Sequence, residues 1–211
     1  MLFRSPHVDG SFAVMFLRDR WAWHPTATFD SRVSRVAPGH VAWFGDRRVD
    51  VRRWWPCGTP RTIRGLSLDD AVARIAPVVE ASVRNRARTS GLVGVHVSGG
   101  LDSGLVAAHT ARLLRADGRP DPVACGWTPT LTGESATKEE VRLRATATHL
   151  GLEVIPCNLT VDDMRTYLTQ DPVDLPFENT FPYESAVLTG AAARGVTVML
   201  SGWGGDEIVS S

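Results

Sequence analysis

The sequence contains few cysteines and almost no lysine. Its three cysteines, Cys57, Cys125 and Cys157, are odd in number and lack the close spacing of zinc ligands. We therefore expect neither a disulfide framework nor a structural zinc site. We also expect the protein to lie in a reducing compartment. Lys138 is the only lysine, so a mechanism that needs this residue type has one candidate in the chain.

The chain also lacks net charge and long apolar runs. Its 23 basic and 23 acidic side chains balance, so no strong field draws it to nucleic acid or to a membrane surface. No stretch approaches the apolar length of a membrane span, and residues 1–10 have no apolar core of the kind that marks a signal peptide. We expect a cytoplasmic protein that binds neither nucleic acid nor membranes.

The character of the sequence changes near residue 60. With 211 residues, 43% of them hydrophobic, the chain can bury one sizeable core and a small appendage. Up to Trp55, short aromatic and β-branched runs alternate with turn residues, which predicts a small β-rich region. These runs lie at residues 12–17, 33–36, 41–44 and 49–54. Residues 56–64, with Gly58 and Pro60, then predict a linker.

From Ser67 onward, strand and helix patterns alternate. Ser67 and Asp70 have the spacing of a capping box, with Asp in place of the usual Glu or Gln, ahead of an amphipathic helix. Strands are predicted at 92–97, 123–127, 152–157 and 196–200, and further helices at 103–115, 138–150, 162–168 and 183–194. Such alternation predicts an α/β fold in which helices cover both faces of a parallel sheet.

Two glycine-rich loops follow predicted strands of this sheet. Loop 1, residues 98–103, reads Ser-Gly-Gly-Leu-Asp-Ser, and loop 2, residues 201–207, reads Ser-Gly-Trp-Gly-Gly-Asp-Glu. Ligands of such sheets bind at the carboxyl ends of the strands, where glycines and a helix N-terminus can approach a phosphate. A carboxylate beside phosphates requires a divalent cation, so we predict Mg²⁺ between Asp102 and Asp206.

Each loop alone has a plainer interpretation. A Ser-Gly-Gly turn is common, and Asp102 could simply cap the start of a helix. The presence of both loops, each after a strand of one sheet, is what favours a nucleotide site.

The two loops resemble the signatures of a known family. Loop 1 resembles the pyrophosphate-binding loop of the ATP pyrophosphatase superfamily, and loop 2 resembles the second signature of the asparagine synthetase family, which includes β-lactam synthetases and lasso-peptide cyclases. Residues 36–40 and 53–56 are similar to the segment in which the family's glutaminase domain ends. The resemblance implies a HUP-like synthetase domain over residues 61–211, incomplete at its carboxyl end, and a β-rich remnant of a glutaminase-like domain with a linker over residues 1–60.

The resemblance also implies a chemistry and a set of site residues. A carboxylate of an amino acid or peptide would attack the α-phosphate of ATP, and an amine would capture the resulting acyl-adenylate. Asp102, Asp206 and Glu207 would act in catalysis, with Asp102 and Asp206 as ligands of Mg²⁺. The residues implied to bind the nucleotide are Val97, Ser98, Gly99, Gly100, Leu101, Asp102, Ser103, Cys125, Ser201 and Gly202.

The sequence departs from the family pattern at three places. It begins with Met1 rather than a nucleophilic cysteine, so we expect no glutamine hydrolysis. Trp203 replaces a glutamate of asparagine synthetases, which favours a reaction of the lasso-peptide cyclase type, although Trp203 could instead pack against adenine or the core. The chain ends at Ser211, soon after loop 2, so we expect it to bind nucleotide weakly. We expect it to be either a fragment of an enzyme or one half of a split enzyme that a second chain completes.

Other functions and plainer roles remain open. A tRNA-thiolating or NAD-forming ATP pyrophosphatase would lack the loop 2 signature, and a non-catalytic partner protein would only bind ATP. We interpret His96 as a satisfied core histidine and Lys138 as a solvated residue at a helix start. Glu178, Asn179 and Glu184 could touch an acceptor substrate, but helix capping is the simpler interpretation.

Overall fold

The structure is a computed structural model that describes residues 7–19, 24–46, 48–55, 63–128, 137–163, 165 and 182–205. The chain divides into two units, Met1–Gly65 and Leu66–Ser211. Among the described helices, none combines the length and the apolar character that crossing a membrane requires.

The described residues of the first unit form one helix and one β-hairpin. Helix α1 spans Gly10–Asp19, and strands β1 (His40–Phe44) and β2 (Val49–Arg53) pair antiparallel. The strands predicted at 41–44 and 49–54 are confirmed. The strand prediction is wrong for residues 12–17, which lie in α1, and residues 33–36 form no strand. That this unit is a remnant of a glutaminase-like domain remains a prediction.

Aromatic packing explains why residues 12–17 are helical. The side chain of Asp9 accepts a hydrogen bond of 3.0 Å from the Phe12 N–H and so caps the first turn. Phe12 and Phe16, one helical turn apart, both meet Phe29 edge to face, with ring centroids 5.0 and 5.2 Å apart. This partner lies outside the run and is not visible in its local pattern.

In the part of the second unit that the structure describes, the strands form a four-stranded parallel sheet. Its strands are β3 (Leu92–His96), β4 (Val123–Trp127), β5 (Val154–Cys157) and β6 (Val196–Leu200). The helices that the structure describes from end to end in this unit are α2 (Leu68–Arg86), α3 (Leu101–Ala116), α4 (Lys138–Leu150) and α5 (Pro182–Ala193). The strand order is β5-β4-β3-β6, and every neighbouring pair is parallel. The predicted α/β fold is confirmed, whereas the helix predicted at 162–168 falls only partly within the described residues, of which 161–163 and 165 are helical.

Helices cover both faces of this sheet, as predicted. On one face, α2, α3 and α4 pack against Val93, Val95 and Val97 in a single buried cluster. On the other face, α5 contributes Val187 and Ala191 to a second cluster with residues of all four strands. Successive strand residues point to opposite faces, so the side of β3 that carries His96 is the side covered by α5.

Side-chain caps fix the starts of two helices. The Ser67 hydroxyl oxygen accepts from the Asp70 N–H at 3.1 Å, and the hydroxyl donates to the Asp70 carboxylate at 2.7 Å. The predicted cap of α2 is therefore confirmed, and the Asp70 carboxylate bonds the Ser67 side chain. Thr137 caps α4 by accepting from the Glu140 N–H at 3.1 Å, and Lys138 is an exposed first residue of that helix, as predicted.

Candidate functional site

Loops 1 and 2 start side by side because β3 and β6 are neighbours in the sheet. Val95 pairs with Leu200 in parallel register, so the segments that follow β3 and β6 leave the sheet at the same edge. Loop 1 begins after Val97 and loop 2 directly after Leu200. The strand order therefore brings together two motifs that lie far apart in the sequence.

Loop 1 is held by its two serines and opens α3. The Ser98 N–H donates to Ser103 Oγ at 3.3 Å, and the Ser103 hydroxyl donates to the carbonyl oxygen of Gly100 at 3.1 Å. The N-cap is Gly100, and Asp102 is the second residue of α3, so the interpretation of Asp102 as a helix cap is wrong. Gly100 has no side chain that could cap α3, so no side chain occupies the first N–H groups of the helix. An anion site needs N–H groups that are available in this way.

Gly99 sets the path of loop 1 over α4. Its φ of +78° lies in the left-handed region, which a side chain strains. A Cβ at this position would also collide with the Cβ of Arg142 and lie 3.3 Å from the carbonyl oxygen of Glu139. Only glycine satisfies both conditions, so the close approach of loop 1 to α4 depends on Gly99.

Two glycines of loop 2 pack directly against Asp102. A Cβ at Gly202 would lie 2.5 Å from the N atom of Ser103 and 2.6 Å from the carbonyl carbon of Asp102, and a Cβ at Gly205 would overlap the Asp102 carboxylate. A turn closed by the Gly205 N–H and the Gly202 carbonyl oxygen, 3.2 Å apart, maintains this packing. The structure thus joins the two predicted loops around Asp102.

The metal part of the predicted site is described only in part. Asp206 and Glu207 lie outside the described residues. Over the described ranges, no group of three or more His, Cys, Asp and Glu residues could hold a metal ion. Mg²⁺ is commonly bound by one or two carboxylates together with waters and substrate phosphates, and the Asp102 carboxylate beside a phosphate-type loop is chemically suited to that mode.

Of the residues predicted to border adenosine, Val97 directly follows β3 and Cys125 lies in the middle of β4. The Val97 N–H donates to the carbonyl oxygen of Cys125 at 2.8 Å, and both side chains are fully buried. Burial raises the pKa of the Cys125 thiol to about 12, with a smaller contribution from Cys157. Val97 and Cys125 could therefore reach a nucleotide only through their backbone atoms. Leu101, in contrast, is 93% exposed.

A cavity of about 290 Å³ beside loop 2 was not predicted from the sequence. Its polar part contains His96 and Glu184, whose Nδ1 and Oε2 atoms lie 3.8 Å apart and whose side chains are each 16% exposed. The other lining residues that matter here are Val187, Met199, Ser201 and Trp203. His96 thus borders a cavity rather than the closed core, and Glu184 faces His96 instead of serving as a helix cap. Glu178 and Asn179 lie outside the described residues.

Two signals in the sequence could have indicated this cavity. Val93, Val95 and Val97 recur at every second position, which places His96 on the opposite face of the strand. Glu184 is an acidic residue in the first turn of the helix that covers that face. The order of the strands and the position of α5 were needed to bring the two side chains together.

Comparison with known proteins identifies related sequences. The sequence profile of the family described as asparagine synthase matches residues 74–211. The amidase chyE of Penicillium rubens is 25% identical in an alignment that covers 93% of this chain and 31% of the relative. The chain therefore spans about a third of the length of the curated relative it matches.

Proposed function

The chain belongs to the asparagine synthase family, whose members use ATP, and on that premise we propose that loops 1 and 2 form the ATP site of an amide-bond ligase. The observation that carries the proposal is the packing of Gly202 and Gly205 against Asp102. This packing brings loop 1, which is suited to bind phosphate, together with the part of loop 2 that precedes Asp206. Both lie at the same edge of the sheet.

Each part of the proposed site has a distinct role. The backbone of loop 1 and the N-terminus of α3 would hold the pyrophosphate portion of ATP, with Ser98 as a hydroxyl donor and Ser103, which donates to the Gly100 carbonyl oxygen, holding loop 1 in place. Backbone groups of Val97, Cys125 and Gly202 would border adenosine. Asp102 and Asp206 would hold Mg²⁺, which supplies neutralisation of the phosphate charge when bound.

The proposed reaction forms an amide in two steps. A carboxylate oxygen attacks the α-phosphorus of ATP, the bond to the bridging oxygen breaks, and pyrophosphate leaves with that electron pair. An amine nitrogen then attacks the acyl carbon, AMP leaves with the electrons of the carbon–oxygen bond, and the nitrogen loses a proton. The donors around loop 1 favour the first step because they stabilise the charge that develops on the departing pyrophosphate. Similarity to an amidase is consistent with chemistry at an amide bond.

Trp203 supports an acceptor different from that of asparagine synthetases. Its indole is 59% exposed and borders the cavity beside loop 2, at the position where those enzymes carry a glutamate. An apolar ring in place of a carboxylate changes which acceptor fits there. We therefore propose a reaction of the lasso-peptide cyclase type, with an amino acid or peptide carboxylate as the group that ATP activates, in the cytoplasm.

Binding of ATP to Asp102→Asn tests this proposal. Calorimetric titration with ATP and Mg²⁺ should show binding about tenfold weaker or worse than in the parent chain, because the substitution removes a charged ligand. In the presence of EDTA, Asp102→Asn should bind ATP at least as tightly as the parent chain, because without Mg²⁺ the carboxylate only repels the phosphates. Asp117→Asn is the matched control, since Asp117 lies at the opposite end of α3 in an ion pair with Arg84. Equal binding of ATP and Mg²⁺ by Asp102→Asn and the parent chain would refute the proposed site.

A further inference from the structure

The cavity beside loop 2 combines a polar pair with an apolar wall. His96 and Glu184 provide the polar atoms, and Val187 and Met199 provide apolar surface. A largely buried carboxylate is costly unless a donor or a cation satisfies it. The charge of Glu184, and not only the shape of the cavity, therefore determines which ligands the cavity favours.

The preference is for a positively charged donor. The Nδ1 and Oε2 atoms are 3.8 Å apart, beyond the 2.7–3.2 Å of a good hydrogen bond, so the imidazole leaves the carboxylate free to accept one. Of the described residues that line the cavity, none is lysine or arginine. A carboxylate ligand would meet Glu184, and these described lining residues provide no fixed cation to offset the repulsion. An ammonium group offers three donors and the opposite charge.

Trp203 and Ser201 place this cavity next to the nucleotide site. The Trp203 indole borders the cavity, and an aromatic face attracts cations. Ser201 lines the same cavity and directly precedes Gly202, the residue that packs on Asp102. A ligand in the cavity would therefore lie beside the acyl group that the proposed ATP site activates.

The size of the cavity excludes ammonia as a well-matched ligand. Its volume is about 290 Å³, whereas a small molecule such as water occupies roughly 30 Å³ in its liquid. A ligand that fills the space needs several carbon atoms beyond its nitrogen. Val187 and Met199 supply the apolar surface against which such a stem would pack.

We propose that this cavity binds the acceptor substrate as a primary amine on a small apolar stem, with the ammonium group between Glu184 and His96. The inference rests on the proposed ligase function and specifies its acceptor, which binds as the ammonium ion and gives one proton to Glu184 or His96 before its nitrogen attacks the acyl carbon. It assigns Glu184 as the residue that selects an amine over a carboxylate or a neutral molecule of the same shape.

Binding of three probes of nearly equal shape tests the assignment. The full chain is titrated with n-butylamine, n-butanol and butyrate, and binding is followed by saturation-transfer NMR. n-Butylamine should bind about tenfold more tightly than the other two probes, because only its ammonium group bonds the carboxylate. Glu184→Gln should bind n-butylamine no better than n-butanol. Glu153→Gln, which alters an exposed ion pair with Arg194, should behave like the parent chain.

A second variant keeps the test decisive if Glu184→Gln does not fold. Leu188 borders the same cavity and is 53% exposed, so Leu188→Trp can obstruct the cavity from its surface without touching the polar pair. This variant should also lose the binding of n-butylamine. Parent-like binding by either folded variant, or equal binding of the three probes to the parent chain, would overturn the inference.

The failure of this inference can be distinguished from the failure of the ATP site. Binding of ATP and Mg²⁺ that depends on Asp102, without selective binding of n-butylamine, overturns the amine site alone. Selective binding of n-butylamine that depends on Glu184, without binding of ATP, overturns the ligase proposal and with it the acceptor role.

Discussion

Gly205 lies directly against the carboxylate of Asp102, so closely that a Cβ on residue 205 would overlap a carboxylate oxygen. The contact joins loop 2 to the first turn of α3, although the two segments are far apart in the sequence. It requires both a glycine at this position and a parallel pairing of β3 with β6. Neither requirement concerns catalysis directly, yet both determine where the Asp102 carboxylate can lie.

Gly202→Ala should disrupt this contact and the site together. The new Cβ would lie 2.5 Å from the Ser103 N atom, so either loop 2 or the start of α3 must move. We expect a loss of about 1–3 kcal/mol in the free energy of unfolding and binding of ATP weakened about tenfold or more. Urea unfolding and calorimetric titration measure the two effects.

Gly104→Ala is the control for that substitution. Gly104 lies in the first turn of α3, against which loop 2 packs, and a Cβ there would meet no atom within 4 Å. Removal of a helical glycine should stabilise the protein by up to about 1 kcal/mol and leave ATP binding unchanged. Gly202→Ala protein that binds ATP like the parent chain would show that the packing of loop 2 on Asp102 is not needed.

Arg144→Ala should destabilise the second unit. Arg144 donates through Nε and Nη2 to one carboxylate oxygen of Glu140, at 2.9 and 2.8 Å, and the Glu140 side chain is fully buried. Because Arg144 itself is half-exposed, we expect a loss of about 1–3 kcal/mol rather than the full cost of an uncompensated buried charge. The midpoint of urea unfolding measures this loss.

Two further variants separate the buried pair from ordinary surface pairs. Arg194→Ala removes an ion pair with Glu153 in which both side chains are more than half exposed, and it should cost less than about 1 kcal/mol. Glu140→Gln combined with Arg144→Ala should recover part of the loss, because the neutral amide is cheaper to bury. A loss for Arg144→Ala no larger than that for Arg194→Ala would contradict the prediction.

The Cys125 thiol should react slowly in the folded protein. Burial raises its pKa to about 12, so little thiolate is present near pH 8. We expect alkylation by iodoacetamide to be at least about a hundredfold slower in buffer than in urea, as followed by site-resolved mass spectrometry. Labelling of Cys125 at the same rate in both conditions would show that the thiol is accessible.

The same raised pKa predicts a loss of stability in alkali. The folded state holds the Cys125 proton more tightly than the unfolded state, so this contribution is complete below the thiol's ordinary pKa of 9.0 and falls as the pH rises from there toward about 12. Unfolding by urea at about pH 8 and about pH 10.5 measures the decline. Cys125→Ala should show a smaller decline than the parent chain between the two pH values.

The alternation of strands and helices was predictable because each element carries its own pattern. The bounds predicted for β4, β6 and α4 agree with the structure, since each is a short apolar run or an amphipathic stretch between clear breaks. The prediction failed at residues 12–17, where the partner that makes the run helical is Phe29. Local sequence cannot show a contact of that kind.

The candidate site was predictable where its chemistry lies in a contiguous motif. The glycines, the serines and Asp102 of loop 1 are adjacent in the sequence and could be recognised there. The structure places them at the carboxyl edge of the sheet, as expected. His96 and Glu184 form no contiguous motif, because they lie on separate elements and each has an ordinary alternative role. Only their distance of 3.8 Å marks them as a pair.

The sequence by itself determined the α/β fold of the second unit and the two glycine-rich loops, because hydrophobic periodicity and backbone-permissive residues are properties of neighbouring positions. The tertiary structure alone decided that β6 lies beside β3, that Gly205 meets Asp102, and that α5 carries Glu184 to His96. These relationships follow from the order in which strands pair and from the face that each helix covers. They depend on the free energy of the whole packed sheet, and no short segment of the chain encodes them.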